Sequence, residues 1–392
     1  MQQTNHQPIP ANAARTVSIL GATGSIGEST LRVIAEQPER YRIAALTAQD
    51  NADKLIALAR EFRPAHVAIG NPAHYATVKD ALAPLGIHVG TDICEAASYP
   101  CDISVAAIVG AAGLAPTLRA IEQGNQVALA NKEALVCAGH FMLDACARHS
   151  TKLVPVDSEH NAIFQVLQGS AQSVETMTLT ASGGPFRTRA LAAFDSITPA
   201  EAVAHPRWRM GAKISIDSAT MVNKGLELIE AHYLFGLPPE QIDVLLHPES
   251  IIHSLVHFTD GSVLAQLGMP DMRIPIAYAL SWPERLQVST PRLNLAELGA
   301  LHFETPEPAR FPALACARRA LAKGPHALIA FNSANEVAVA AFLAGKIRFP
   351  QIIEIVAQAV EISAACTISS IEQVLACDAE ARRLATKLAA NG

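Results

Sequence analysis

The chain is short of charge, of aromatic residues and of paired cysteines. Only 17% of its 392 residues are Asp, Glu, Lys or Arg, 5% are aromatic, and 50% are hydrophobic. Such a balance supports a large buried core and excludes a disordered or fibrous chain. Acids exceed bases by 36 to 30, a formal charge of −6, so there is no global attraction for nucleic acid or anionic lipid. The seven cysteines (Cys94, Cys101, Cys137, Cys146, Cys316, Cys366 and Cys377) are odd in number and include no Cys-x-x-Cys pair. They read as reduced, mostly core thiols, which excludes a small disulfide scaffold. Long apolar runs are missing too. The longest uncharged run, Ile103 to Leu118, is interrupted by Gly110, Gly113 and Pro116 and falls short of the roughly 18 residues of a membrane span. Met1 to Arg15 is polar, without the apolar stretch of a secretion signal. The expectation is a soluble, cytoplasmic protein with no nucleic-acid or membrane partner.

What is present is organised. At roughly 150 residues per domain the length predicts two or three domains. From Thr16 to Val156, short β-branched runs alternate with amphipathic stretches. Strands are expected at Thr16–Leu20, Tyr41–Thr47, His66–Ile69, Ile103–Val109, Gln126–Ala130 and Thr151–Val156. Strands alternating with helices of this length predict a parallel sheet covered on both faces, a doubly wound α/β domain of Rossmann-like type. After Asp157 the rhythm becomes α+β. Thr198-Pro-Ala-Glu201 has the form of a helix start, and strands are expected at Val244–Glu249, Ser254–Phe258 and Ser262–Leu267. Pro283 to Pro312 holds five prolines and reads as a linker or long crossover. From Phe311 onward an Ala-rich apolar periodicity predicts packed helices without strands. The expected division is a dinucleotide-binding domain over 1–156, a central catalytic α+β domain over 157–288 (to which the resemblance given below adds dimerisation), a linker over 289–310 and a C-terminal α-helical domain over 311–392.

Several segments carry chemistry. Gly21-Ala-Thr-Gly24-Ser-Ile-Gly27 directly follows the first strand and opens the first helix. Glycines there permit a tight turn and let a pyrophosphate approach the helix N-terminus, where free N–H groups favour an anion. At the end of the second strand Asp50 has no adjacent Lys or Arg, which by spacing leans towards NAD rather than NADP, unless Asp50 only caps the next helix. Asp157-Ser158-Glu159 follows a predicted strand, and in extended geometry both carboxylates point to one side. Lys213 to Glu227 reads as a strand running into a helix, with Ser218, Asn223 and Lys224 arranged to surround a phosphate and Glu227 on their face. Ser182 adds a hydroxyl on a Gly-Gly turn. Asp157, Glu159 and Glu227 form a hard-oxygen set suited to Mg²⁺ or Mn²⁺. His205-Pro-Arg-Trp208-Arg-Met210-Gly211 has the composition of a closing loop. Lys132 and Glu133 follow Asn131 on the same sheet edge as the glycine loop.

In this order the segments resemble one family closely, the 1-deoxy-D-xylulose 5-phosphate reductoisomerases of the non-mevalonate (MEP) isoprenoid pathway. The resemblance rests on the glycine loop, Ala130-Asn-Lys-Glu133, Val156-Asp-Ser-Glu-His160, Ser182-Gly-Gly-Pro-Phe186 and His205-Pro-x-Trp208. Asp217-Ser-Ala-Thr-Met221, Asn223-Lys-Gly-Leu-Glu227, Gly268-Met-Pro-Asp271 and Asn335-Glu-Val337 continue it. It implies an NADPH-dependent oxidoreductase that isomerises and reduces its sugar phosphate with the help of one divalent cation (Mn²⁺, Mg²⁺ or Co²⁺), as a homodimer. By position it implies Asp157, Glu159 and Glu227 as metal ligands. Lys132, Asp157, Glu159, His205 and Glu227 are the implied catalytic residues. Substrate contacts fall on Lys132, Ser158, Glu159, Ser182, His205, Trp208, Ser218, Asn223, Lys224 and Glu227. Cofactor contacts fall on Thr23, Gly24, Ser25, Ile26, Asn51, Asn131, Glu133, Gly211 and Met210. Gln49-Asp50 departs from the family pattern, which usually has Gly and then a basic or small residue. Two other readings compete: a semialdehyde-dehydrogenase-like oxidoreductase, which needs a nucleophilic cysteine, and a non-catalytic nucleotide sensor, which would have lost the acid or phosphate set.

Overall fold

The computed structural model describes residues 14–168, 173–205, 208, 211–365 and 367–391. Its N-terminal half is built on seven parallel strands: β1 (Arg15–Leu20), β2 (Tyr41–Ala48), β3 (His66–Ile69), β4 (His88–Gly90), β5 (Ile103–Ala106), β6 (Gln126–Leu129) and β7 (Lys152–Pro155). Their order across the sheet is β4-β3-β2-β1-β5-β6-β7. β1 is central, and the chain leaves it in one direction to build β2 to β4 and in the other to build β5 to β7. The carboxyl ends of β1 and β5 therefore flank a topological switch point, where ligands of open α/β sheets bind. The glycine loop occupies it. A side chain at Gly21, whose φ is 88°, would stand 2.7 Å from the Ala107 carbonyl oxygen. At Gly27 a Cβ would meet the Gly21 oxygen at 2.5 Å. Helix Ser25–Ala35 thus packs directly onto the turn that introduces it.

The second sheet has the order β11-β10-β8-β9, formed by β8 (Val174–Ala181), β9 (Ile242–Leu246), β10 (Ile252–Phe258) and β11 (Val263–Leu267). β8 runs parallel to β9 and antiparallel to β10. Thr198 caps its short helix through the capping box with Glu201 that the sequence predicts. The C-terminal region holds helices Pro312–Lys323, Pro325–Leu343, Phe349–Ile362 and Ile371–Asn391, and no strands among its described residues.

Three local expectations are corrected, and two strands were not expected. Lys213 to Ile216 is not a strand: helix Ala212–Thr220 is followed at once by helix Val222–Phe235, the break falling at Met221 in the left-handed region with φ 62°. Ile214 and Ile216 imitate strand alternation, but the neighbouring apolar contacts follow helical spacing. Asp157 and Glu159 are not an extended pair either. Asp157 is the N-cap of helix Ser158–Val166 and Glu159 lies in its first turn. The strand expected at Val244–Glu249 begins and ends earlier, because Pro248 leaves no ladder donor. Finally, β4 and β8 carry no expectation at all, although β8 is central in its sheet.

The core does not respect the linear order of the chain. Ile216, Leu226 and Ile229, from the two central helices, share one apolar cluster with Phe331, Phe342 and Val356 of the C-terminal helices. Helix Pro325–Leu343 is long and apolar enough to span a membrane, yet 67% of that stretch is buried inside the molecule. Its hydrophobicity is spent on packing, and it presses on the helix that carries the central carboxylate.

Candidate active site

A cleft of about 740 Å³ opens along the carboxyl edge of the seven-stranded sheet and is closed from the other side by the second sheet. Each wall is positioned by a helix start. Asn131 caps helix Lys132–His149 by accepting from Ala134 N–H, which points Lys132 inward from its first turn. Asp157 Oδ1 accepts from Ser158 N–H at 3.0 Å and starts the next helix. Met221 restarts the chain so that Asn223, Lys224 and Glu227 share the inner face of helix Val222–Phe235.

Asp157, Glu159 and Glu227 converge there, each offering an oxygen within 4.8 Å of the others. Two buried lysines pair with all three and balance two of their charges. Lys132 Nζ pairs with Asp157 and lies 3.0 Å from Glu227 Oε1, while Lys224 Nζ lies 2.7 Å from Glu159 Oε1 and pairs with Glu227 Oε2. Asn223 joins them, its Oδ1 accepting from Lys132 at 2.9 Å and its amide donating to Glu227. Burial opposes ionisation throughout, and the charges decide the outcome. Against burial, Lys132 holds the Asp157 carboxyl down at about 2. Against burial, the carboxylates push the Lys132 ammonium well above its ordinary value, and Lys224 likewise rises beside Glu159 and Glu227. Glu227 moves the other way, raised by burial and by Glu159 next to it. Three carboxylate oxygens at this spacing fit a hard divalent cation, which would compete with the two ammonium groups for the same atoms.

The second sheet supplies the opposite wall. Ser182 follows β8, and the Gly183-Gly184 turn (φ 79° and 64°) seats it against the end of helix Ala212–Thr220. A Cβ on Gly184 would come within 2.9 Å of the Ser218 backbone carbonyl oxygen, so this glycine lets the turn approach that helix closely, and Ser182 and Ser218 line the same cleft. His205 Nδ1 accepts from Trp208 N–H at 2.9 Å, which leaves Nε2–H to donate to Ser182 Oγ at 2.9 Å. Burial pushes His205 down to about 4, consistent with that neutral form. Trp208 also faces His253, with ring centroids 6.4 Å apart.

Of the residues expected from sequence, the cleft gathers Ser25, Ile26, Lys132, Glu133, Asp157, Ser158, Glu159, Ser182, His205, Trp208, Gly211, Ser218, Asn223, Lys224 and Glu227. Thr23, Gly24, Asn51 and Asn131 are not in its lining. Thr23 and Gly24 lie on the glycine turn, Asn51 caps helix Ala52–Phe62, and Asn131 also donates to the Gly110 carbonyl at 3.0 Å. Met210 lies outside the described residues. Asp50 does not cap that helix. Its Oδ1 accepts from Asn71 Nδ2 at 2.8 Å, which draws the carboxylate towards the loop after β3.

Sequence reasoning missed Lys213, Asp217, His253, His160 and Glu230. Lys213 Nζ lies 2.8 Å from Glu133 and 3.0 Å from Asp217, and Asp217 in turn accepts from Asn335 Nδ2 at 2.7 Å. The Lys213/Asp217 spacing is a helical i, i+4 signal, invisible once the segment is read as a strand.

Three family models cover most of the chain: "1-deoxy-D-xylulose 5-phosphate reductoisomerase" over residues 17–139, its "C-terminal domain" over 153–235, and "DXP reductoisomerase C-terminal domain" over 267–384. The chain is 52% identical to the 1-deoxy-D-xylulose 5-phosphate reductoisomerase of Ralstonia nicotianae, over 94% of this chain and 96% of that one. The chain belongs to the 1-deoxy-D-xylulose 5-phosphate reductoisomerase family. The reductoisomerase of a Bradyrhizobium species is 50% identical over 98% of this chain and 96% of its own. Among solved structures, the Zymomonas mobilis reductoisomerase in complex with NADPH superposes with a TM-score of 0.91 at 48% identity, covering 96% of this chain and 99% of that one. A second reductoisomerase, in complex with NADPH, fosmidomycin and magnesium, gives 0.92 at 44% identity, covering 96% and 98%. Membership in the reductoisomerase family sets aside both competing readings. The dehydrogenase reading also fails on chemistry, because burial pushes the Cys137 thiol far up, opposite to an activated nucleophile.

Proposed function

We propose that the chain converts 1-deoxy-D-xylulose 5-phosphate to 2-C-methyl-D-erythritol 4-phosphate in the MEP pathway, using NADPH and one divalent cation. The observation that carries this is the convergence of Asp157, Glu159 and Glu227 beside Lys132 and Lys224, between a dinucleotide edge and a pocket of hydroxyl and amide donors. In this reading Asp157, Glu159 and Glu227 hold the cation; when bound, it supplies a Lewis acid that polarises the substrate carbonyl and acidifies a neighbouring hydroxyl. Ser182, Ser218, Asn223 and Lys224 bind the phosphate and supply remote binding energy for orienting the reacting carbons. Lys132, Ser158 and Glu159 contact the sugar, and the neutral His205 donates from Nε2. Trp208 and Gly211 line the cleft where a covering loop would exclude water.

For the cofactor, Thr23, Gly24, Ser25 and Ile26 present the helix N-terminus to the pyrophosphate, while Asn51, Asn131, Glu133, Gly211 and Met210 take its other contacts. The hydrogen bond from Asn71 turns Asp50 aside, which supports room for a 2′-phosphate. The expected division is retained: 1–156 binds the dinucleotide, 157–288 carries the chemistry and the dimer contact, 289–310 links, and 311–392 braces the site. The protein acts as a cytoplasmic homodimer.

The test follows reduced-nicotinamide absorbance with 1-deoxy-D-xylulose 5-phosphate, with and without Mg²⁺ or Mn²⁺. Substrate-dependent NADPH oxidation that stops on chelation is expected. Oxidation that survives chelation would remove the metal role, and a higher kcat/KM with NADH would overturn the cofactor assignment.

A further inference from the structure

All three carboxylates read above as the metal set come from two helices, Ser158–Val166 with its cap and Val222–Phe235. What fixes those helices relative to each other is a residue outside the set. His160 is 0% exposed, and its Nε2 lies 2.8 Å from the backbone carbonyl oxygen of Glu227. A carbonyl only accepts, so Nε2 carries hydrogen and donates. The other ring nitrogen, Nδ1, faces Glu230 Oε2 at 3.3 Å. Glu230 is 1% exposed and sits one helical turn beyond Glu227.

Neither His160 Nδ1 nor Glu230 Oε2 makes a hydrogen bond to any group, and the 3.3 Å between them is an ion-pair contact. Two buried polar atoms left without other partners are costly unless they pair, so at this distance each is the other's partner. Phe235 stacks parallel to the imidazole, with centroids 6.3 Å apart and planes 11° apart, and fixes its plane. The ring therefore grips helix Val222–Phe235 at two successive turns, once by backbone and once by side chain.

We propose that His160 and Glu230 are a positioning pair that clamps the Glu227 backbone and thereby sets the spacing of the metal carboxylates. Outer partners of this kind orient ligands without touching the metal. The proposal rests on the metal reading of Asp157, Glu159 and Glu227. Asp157, His160 and Glu230 also have ligand atoms within 4.8 Å of one another. A second cation among them is disfavoured, because it would share Asp157 with the first set and displace the contact between His160 and Glu230.

The test measures Mn²⁺ binding by the electron paramagnetic resonance signal of the free ion, with far-ultraviolet circular dichroism and NADPH titration as controls on the fold. Wild type is expected to bind one Mn²⁺. Glu230→Met, of similar length but with no donor, should bind it about 10- to 100-fold more weakly. Glu230→Gln should stay close to wild type, since its amide donates to His160 Nδ1. NADPH affinity should be unchanged in both variants. Wild-type affinity in Glu230→Met would overturn the proposal. So would a Glu230→Gln as weak as Glu230→Met, because the negative charge would then matter and not the hydrogen bond. Two Mn²⁺ in wild type with one lost in Glu230→Met would make Glu230 a ligand and overturn it as well. If Glu230→Met does not fold, His160→Asn takes its place. It removes the donor to the Glu227 carbonyl, so the same weakening is expected and unchanged affinity refutes the clamp. A wild type that binds no Mn²⁺ would instead sink the metal reading itself.

Discussion

His253 illustrates what a single buried side chain contributes to this cleft. It is 7% exposed, and burial pushes its pKa down from 6.5 to about 4. The folded protein thus binds fewer protons than the unfolded chain between those values. Stability from this group is complete above about pH 6.5 and is lost as pH falls towards 4. Between pH 8 and pH 5 the loss is about 2 kcal/mol. Urea unfolding at both values should show that loss in wild type and a smaller one in His253→Gln; equal pH dependence in the two proteins would refute the assignment. His205 obeys the same sign and is neutral for the same reason, so the Ser182 side of the cleft is uncharged while the carboxylate side is ionic. On the reading proposed above, a phosphate arriving between them would meet hydroxyl and amide donors with Lys224 as their cation.

At the scale of elements, the site is made of junctions: strand to helix at Gly21–Ser25, at Asn131 and at Asp157, and helix to helix at Met221. The first is testable. A Cβ on Gly27 would press on the Gly21 oxygen and the Ala22 backbone, at 2.5 and 2.6 Å, neither of which is a flexible side-chain end. Gly27→Ala should therefore lower stability by about 1–3 kcal/mol and weaken NADPH in a fluorescence titration, and a variant with wild-type affinity and melting would show that the turn has slack. Junctions also decide what could be read in advance. The glycine loop, the strand positions around it and the Thr198 cap were legible because turn chemistry is local. The carboxylate set was legible as residue types in order, but its geometry was not. Ile214 and Ile216 alternate like a strand, and the helix they belong to is fixed by contacts with Asn335 and the C-terminal core, more than a hundred positions away. β8 was missed although Thr176, Thr178 and Thr180 alternate with Met177, Leu179 and Ala181 at the strand period; only its partners, some seventy residues later, lay beyond local reading.

The whole molecule behaves as one body around the site. Phe331 is fully buried and touches the space beside Gly225, where a Cβ would lie 3.1 Å from its ring. Phe331→Ala should cost about 3–5 kcal/mol. Because Phe331 shares its cluster with Leu226 and Ile229, unfolding followed by helical signal and by loss of NADPH binding should coincide in wild type and variant. Two separated transitions would show that the C-terminal helices fold apart from the site they brace.

Lys132 and Lys224 have a consequence beyond binding. Small metal domains fold only around their ion, because nothing else balances the ligands. Here the chain carries its own counter-ions: each ammonium pairs with two carboxylates of the set. Two of the three carboxylate charges are thereby balanced before any cation arrives. On the metal reading proposed above, occupancy of the site becomes a matter of exchange between ammonium and metal, separable from whether the protein is folded.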